Sequence, residues 1–214
     1  MRPYYDADGI TIYHGDSRAI MAEITAAHGV GCIISDPPYG IRYKPLRGSN
    51  GSKMWGKEVV TGDADPFDPA AIVALGLPTI LWGANHYASR LPDSGGWLVW
   101  DKTPRGIREG FIYSHCELAW TNVFSRVAKF ALEWQGADRN GEGHHRPTQK
   151  PVGLMEWCHR FVPSDAIVLD PFMGSGGTLL AAARLGRRCI GIEVEEKYCA
   201  TAVRRLAQKG MDLV

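Results

Sequence analysis

The strongest constraint on the fold is a construction that occurs twice: a short apolar run followed at once by an acidic, proline-containing turn. Ile33-Ile34-Ser35 leads into Asp36-Pro37-Pro38-Tyr39-Gly40, and Ile167-Val168-Leu169 leads into Asp170-Pro171-Phe172-Met173-Gly174-Ser175-Gly176. Short apolar runs bounded by turn residues read as strands buried on both faces, as in parallel sheets. Parallel strands need helical crossovers, so the chain must alternate strand and helix. Further strands are expected over 10–13, 79–82, 97–100 and 189–192, with 116–121 and 123–131 forming a hairpin around Asn122. Helices are expected from Asp16 or Ser17 to Ala27 with Gly29 as the stop, and over 152–161, 178–185 and 196–208. The reading is an α/β fold with helices on both faces of a mostly parallel sheet. At 214 residues it is one domain, 1–214.

Composition narrows the setting. Hydrophobic residues make up 45% and charged residues 22%, as in ordinary globular proteins. The N-terminus lacks a secretory pattern and no apolar run is long enough for a bilayer, so a cytoplasmic protein with no membrane partner is expected. Five scattered cysteines without C-x-x-C spacing suit reduced thiols and argue against a zinc site. The net charge is only +1, but basic residues cluster. Arg42, Lys44, Arg47 and Lys53 lie in one group, Lys102, Arg105 and Arg108 in a second, Arg139, Arg146 and Lys150 in a third. Phosphate binding needs such local fields rather than a high overall charge. Segments 41–69 and 135–149 have no clear periodicity, and gaps of that length are usually functional or mobile.

The second turn suits a nucleoside cofactor. Glycines at 174 and 176 remove Cβ atoms that would block close approach, and Glu193, 23 residues after Asp170, can accept from ribose hydroxyls. An NAD site uses nearly the same construction. The third glycine of that fingerprint is absent, however, and Asp170 suits a cationic cofactor better than a diphosphate. Lys150, with Thr148 beside it, can pair with a carboxylate. The first turn suits an exocyclic amino group. The Asp36 carboxylate and the Pro37 carbonyl can each accept one N–H, Pro38 stiffens the turn, and Tyr39 offers a stacking face. Such a site works by positioning and electrostatics, with no metal.

Several segments, read jointly, resemble the amino-group DNA methyltransferases, which make N6-methyladenine or N4-methylcytosine. They are His14-Gly15-Asp16, 34–40, 97–102, Cys116-Glu117-Leu118-Ala119-Trp120, Arg146-Pro147-Thr148-Gln149-Lys150-Pro151, 168–176 and Gly191-Ile192-Glu193. The catalytic motif precedes the glycine motif, which is similar to the permuted group called the beta class. The resemblance implies a Rossmann-like methyltransferase sheet of seven strands, one of them antiparallel. It implies S-adenosyl-L-methionine as cofactor, held by Asp16, Thr148, Lys150, Asp170, Phe172, Gly174, Ser175, Gly176 and Glu193. It implies a base held by Asp36, Pro37, Pro38 and Tyr39, and double-stranded DNA as partner with the target base flipped out. Adenine N6 is the expected target, as part of restriction–modification. The alternatives are N4-cytosine, RNA, or a non-catalytic DNA-binding subunit. The chain departs from the family at Gly177, where threonine is common, and it is short, which suggests a short site, a homodimer or a helper subunit.

Overall fold

A computed structural model describes residues 1–43, 60–107, 114–134 and 149–209. The elements in chain order are β1 (Tyr5–Ala7), β2 (Ile10–His14), α1 (Ser17–His28), β3 (Val30–Ser35), α2 (Ala70–Val73), β4 (Thr79–Trp82), β5 (Gly96–Asp101), β6 (Cys116–Thr121), β7 (Val127–Ala131), α3 (Val152–His159), β8 (Ile167–Asp170), α4 (Gly177–Arg184), β9 (Cys189–Glu193) and α5 (Glu196–Lys209). One sheet holds nine strands in the order β1-β2-β9-β8-β3-β4-β6-β5-β7. The expected α/β class is found, but the count is nine among the described residues, not seven.

One local cause adds a strand and another changes a partnership. Asp8 and Gly9 both have positive φ (52° and 77°), the backbone of a two-residue hairpin turn, and this folds β1 back on β2. At the other edge, β7 does not form the expected hairpin with β6. Both sides of β6 are already taken, by β4 and by β5, so β7 pairs in parallel with β5. The connecting segment 122–126 must therefore pass the start of β5. Glycines at 95 and 96 make room: a Cβ at Gly96 would stand 2.1 Å from the Phe124 carbonyl oxygen, and one at Gly95 would stand 2.4 Å from Ser125 Oγ.

Alternation along the strands builds two cores. On one face Ile10, Ile12, Cys32, Ile34, Ile80, Trp82 and Val168 pack with Leu154 and Met155 of α3, Leu179 of α4 and Ala202 of α5. On the other, Tyr13, Ile33, Leu81, Leu169 and Ile192 pack with Ile20, Met21 and Ile24 of α1 and Ile72 of α2. Helix α1 has the caps read from sequence: Asp16 accepts from Arg18 N, and Gly29 is left-handed (φ 63°).

The topology also locates a crevice. Strand β8 leads through α4 to β9 on one side of it, while β3 leads to β4 on the other. The sheet order reverses between β8 and β3. Open α/β sheets bind ligands beyond the carboxyl ends of the strands at such a point.

Candidate active site

Both acidic turns leave the sheet at this crevice, from neighbouring parallel strands. They are tied together by one buried hydrogen bond, Ser35 Oγ donating to Asp170 Oδ1 at 2.7 Å. Asp170 also accepts from the Phe172 backbone N–H at 3.1 Å and from the Thr178 hydroxyl. All three donors are neutral, and among the described residues no cation pairs with it. Burial therefore pushes its carboxyl up to about 6 from 3.8, with the hydrogen bonds opposing. A buried carboxylate with only neutral partners is complementary to a ligand ammonium.

The glycine turn is built on Glu193. Its Oε2 accepts from Gly174 N at 2.9 Å and its Oε1 from Glu195 N at 2.8 Å, so strand β9 fixes the turn that follows β8. Gly174 and Gly176 are left-handed (φ 52° and 83°). At Gly176 a Cβ would stand 2.8 Å from Ala202 Cβ, so the packing of α5 by itself already excludes a side chain there. Ser175 is buried, and its carbonyl accepts from the Arg205 guanidinium at 2.7 Å. Phe172 makes an edge-to-face contact with Phe67 (5.6 Å), which in turn meets Tyr87 (5.0 Å). Asp16 lies at the end of β2, where Arg18 engages both of its carboxylate oxygens (shortest contact 2.7 Å). Thr148 lies outside the described residues.

At the first turn, Tyr39 OH donates to Asp36 Oδ1 at 2.5 Å, and Lys150 Nζ donates to the same oxygen at 2.7 Å. Lys150 also reaches Tyr39 OH at 2.8 Å and Glu117 Oε2 at 3.0 Å, and Lys102 Nζ reaches Glu117 Oε1 at 3.0 Å. Lys150 was expected at the cofactor carboxylate; its ammonium instead sits among Asp36, Tyr39 and Glu117. Burial would raise the Glu117 carboxyl, but the two ammonium groups hold it down at about 2. The same anions raise the Lys150 ammonium against its burial. Lys102 was expected to meet nucleic acid. It is 8% exposed and its charge is spent on Glu117, so it is not a phosphate-facing group.

Three further residues shape this turn. The Asp63 carboxylate accepts from the backbone N–H groups of Gly40 (2.7 Å), Ile41 (3.1 Å) and Tyr43 (2.5 Å), holding Arg42 at a positive φ of 52°. Gly83 gives the Tyr39 ring its place, because a Cβ there would stand 1.9 Å from Tyr39 Cε1. His86 stacks on that ring at 5.1 Å and 17°. Sequence reasoning missed Asp63, Gly83, His86 and Glu117. Only Glu117 carried a signal, because it lies inside a segment that matches the family pattern. Of the basic residues, Arg42 and Arg105 are exposed, with Arg42 Nε donating to Ala64 O at 3.1 Å. Lys44, Arg47, Lys53, Arg108, Arg139 and Arg146 lie outside the described residues. Among the described residues no group of three or more His, Cys, Asp or Glu side chains could hold a metal, and no helix is long and apolar enough to cross a membrane.

Residues 78–204 match the model of the N6/N4 DNA methylase family. The type II methyltransferase M.ScaI of Streptomyces caespitosus is 39% identical, the match covering 99% of this chain and 86% of that protein. Among solved structures, the M1.HpyAVI–SAM complex aligns with a TM-score of 0.55 at 24% identity, over 92% of this chain and 99% of that one. The cytosine-N4-specific PvuII DNA methyltransferase aligns with a TM-score of 0.58 at 16% identity, over 95% and 88%. At these identities the two structures establish a shared fold.

Proposed function

The chain belongs to the N6/N4 DNA methylase family, and from that premise we propose that it methylates the exocyclic N6 of adenine in double-stranded DNA, using S-adenosyl-L-methionine. The observation that carries this reading is the Ser35–Asp170 hydrogen bond of 2.7 Å, which joins the amino-group turn to the cofactor turn in one crevice.

Asp170 takes the methionine ammonium, which supplies the cation its buried carboxylate otherwise goes without. Glu193 accepts from the ribose, Phe172 and Asp16 line the adenine end, and Gly174, Ser175 and Gly176 shape the floor. The bound cofactor supplies an electrophilic sulfonium methyl. The target nitrogen is a poor nucleophile because its lone pair is delocalised into the ring. Asp36 and the Pro37 carbonyl each accept one of its N–H groups and draw it toward tetrahedral geometry, while Tyr39 stacks on the flipped base. The nitrogen would take the methyl as the sulfonium S–CH3 bond breaks to leave a neutral thioether, become acidic by doing so, and give up its proton to solvent. Preorganised acceptors and orientation supply the rate, without metal or covalent intermediate.

Adenine is preferred over cytosine on the Asp36-Pro37-Pro38-Tyr39 motif. The chain acts as a single methyltransferase domain that reads DNA through segments 41–69 and 135–149 and the stretch around Arg105. Mass spectrometry of nucleosides from unmethylated DNA, incubated with the protein and cofactor beside an Asp36→Ala control, tests the reading. N6-methyladenine absent from the control is the expected result. N4-methylcytosine would replace the target and keep the mechanism. No methylated base on duplex or single-stranded DNA would overturn the reading.

A further inference from the structure

Glu117 plays no part in the reaction as proposed, yet the charged network at the amino-group turn is centred on it. It lies on β6, the strand antiparallel to both of its neighbours, beyond the end of β4. Its two oxygens are shared between two lysines, Oε1 with Lys102 and Oε2 with Lys150, each at 3.0 Å. Lys150 has three N–H donors, and three acceptors surround it: Glu117 Oε2, Tyr39 OH and Asp36 Oδ1. Tyr39 OH donates to the same Asp36 oxygen. Both donors to Asp36 therefore fall on Oδ1, and among the described residues none reaches Oδ2. A carboxylate gripped through one oxygen has its orientation set and presents the other.

On the methyltransferase reading, we propose that Glu117 and Lys150 are positioning residues for Asp36. Glu117, anchored from behind by Lys102, holds the Lys150 ammonium so that it and Tyr39 fix Oδ1, leaving Oδ2 to accept the target amino N–H. The charge balance fits this role. Two ammonium groups and two carboxylates compensate one another in a largely dry site. Neutralising Glu117 leaves the two lysines facing each other across an amide that offers only one acceptor oxygen.

The test compares Glu117→Gln, which keeps the shape and loses the charge, with Glu117→Asp, which keeps the charge and loses a methylene. Turnover on DNA and cofactor affinity are measured for both. Glu117→Gln is expected to lower kcat by about 100-fold, the scale of misplacing a reacting group, with cofactor Kd unchanged and Glu117→Asp the more active of the two. If Glu117→Gln outperforms Glu117→Asp, shape alone matters and the proposal fails. A raised cofactor Kd with kcat intact also overturns it, because Lys150 would then serve the methionine carboxylate. Should Glu117→Gln not fold, Lys102→Gln loosens the same anchor and is expected to give the same kcat loss at unchanged cofactor Kd; an unaltered kcat overturns the proposal. Wild type and Asp36→Ala on the same DNA judge the methyltransferase reading separately. If wild type leaves DNA unmethylated, the crystal structure of Glu117→Gln still decides. Lys150 Nζ displaced from Asp36 Oδ1 supports the proposal, and an unchanged 2.7 Å contact refutes it.

Discussion

Gly83 carries no functional group, yet the Tyr39 ring occupies the space its side chain would need. Gly83 is also left-handed at φ 72°, so alanine there is strained as well as blocked. Gly83→Ala is expected to displace the ring and lower kcat by about 100-fold, with cofactor affinity unchanged. Steady-state kinetics beside a cofactor titration would check this, and equal loss in both would point to general unfolding. Asp170 gives a second prediction. Its carboxyl stands at about 6 in the folded protein against an ordinary 3.8. The folded state therefore holds this proton more tightly than the unfolded chain. The stability so gained is complete below pH 3.8 and is lost as pH rises through about 6. If Asp170 takes the cofactor ammonium as proposed, cofactor binding has the opposite sign, because the ammonium then needs the ionised form. Affinity for S-adenosyl-L-methionine is expected to weaken as pH falls below about 6, and Asp170→Asn to flatten that dependence. Isothermal titration across pH 5 to 8 measures both. Asp36, Tyr39 and Asp170 were legible because each sits in a contiguous motif with a local chemical meaning. Gly83 and Asp63 were not, because they join the site only through strand pairing or loop closure, and neither leaves a local pattern; Glu117 lay in a matching segment, but its partners Lys102 and Lys150 come from other elements.

At the scale of elements, most of the sheet was readable, since buried strands show as apolar runs and capped helices show their ends. What failed was partnership. Strands β6 and β7 are close in sequence and look like a hairpin, but pairing depends on which edges remain open, and β5 had already taken that edge of β6. The pair Gly95-Gly96 was the available clue, since adjacent glycines at a strand start mark a place where other backbone passes closely. Helix α4 offers a test of the same reasoning. A Cβ on Gly177 would meet nothing closer than the Lys150 carbonyl oxygen at 3.4 Å, and its φ is not positive. A Cβ therefore has room there. Gly177→Ala is expected to stabilise the fold by about 0.4–1 kcal/mol through the unfolded chain. Gly176→Ala, one residue earlier, meets Ala202 at 2.8 Å with φ 83° and should destabilise it by more than that. Urea denaturation of the two variants separates them, and similar midpoints would contradict the packing argument.

Across the whole molecule, direction organises function. Strands β3, β5 and β7 run the same way, and β6 runs against them. The described chain accordingly reaches residue 43 after β3, residue 107 after β5 and residue 134 after β7 at one edge of the sheet, and resumes at 114 before β6 from that same edge. Both acidic turns leave from this edge too. Of the basic groups read from sequence, the described and exposed members are Arg42, after β3, and Arg105, after β5. Members of one group are not equivalent. Arg105 is exposed, whereas Lys102 is buried against Glu117, though only three residues separate them. Each phosphate contact releases counterions, so losing one lowers the slope of log affinity against log salt by about one. Arg105→Ala is expected to reduce that slope by about one while leaving the melting temperature in place. Lys102→Met is expected to leave the slope unchanged and to lower stability, because it leaves a carboxylate short of one of its two cations. Fluorescence anisotropy on duplex DNA across a salt series, beside thermal unfolding, distinguishes the two. A slope that falls with Lys102 and not with Arg105 would mean that the buried lysine turns outward when DNA arrives, and that the anchor behind Glu117 is released in the complex.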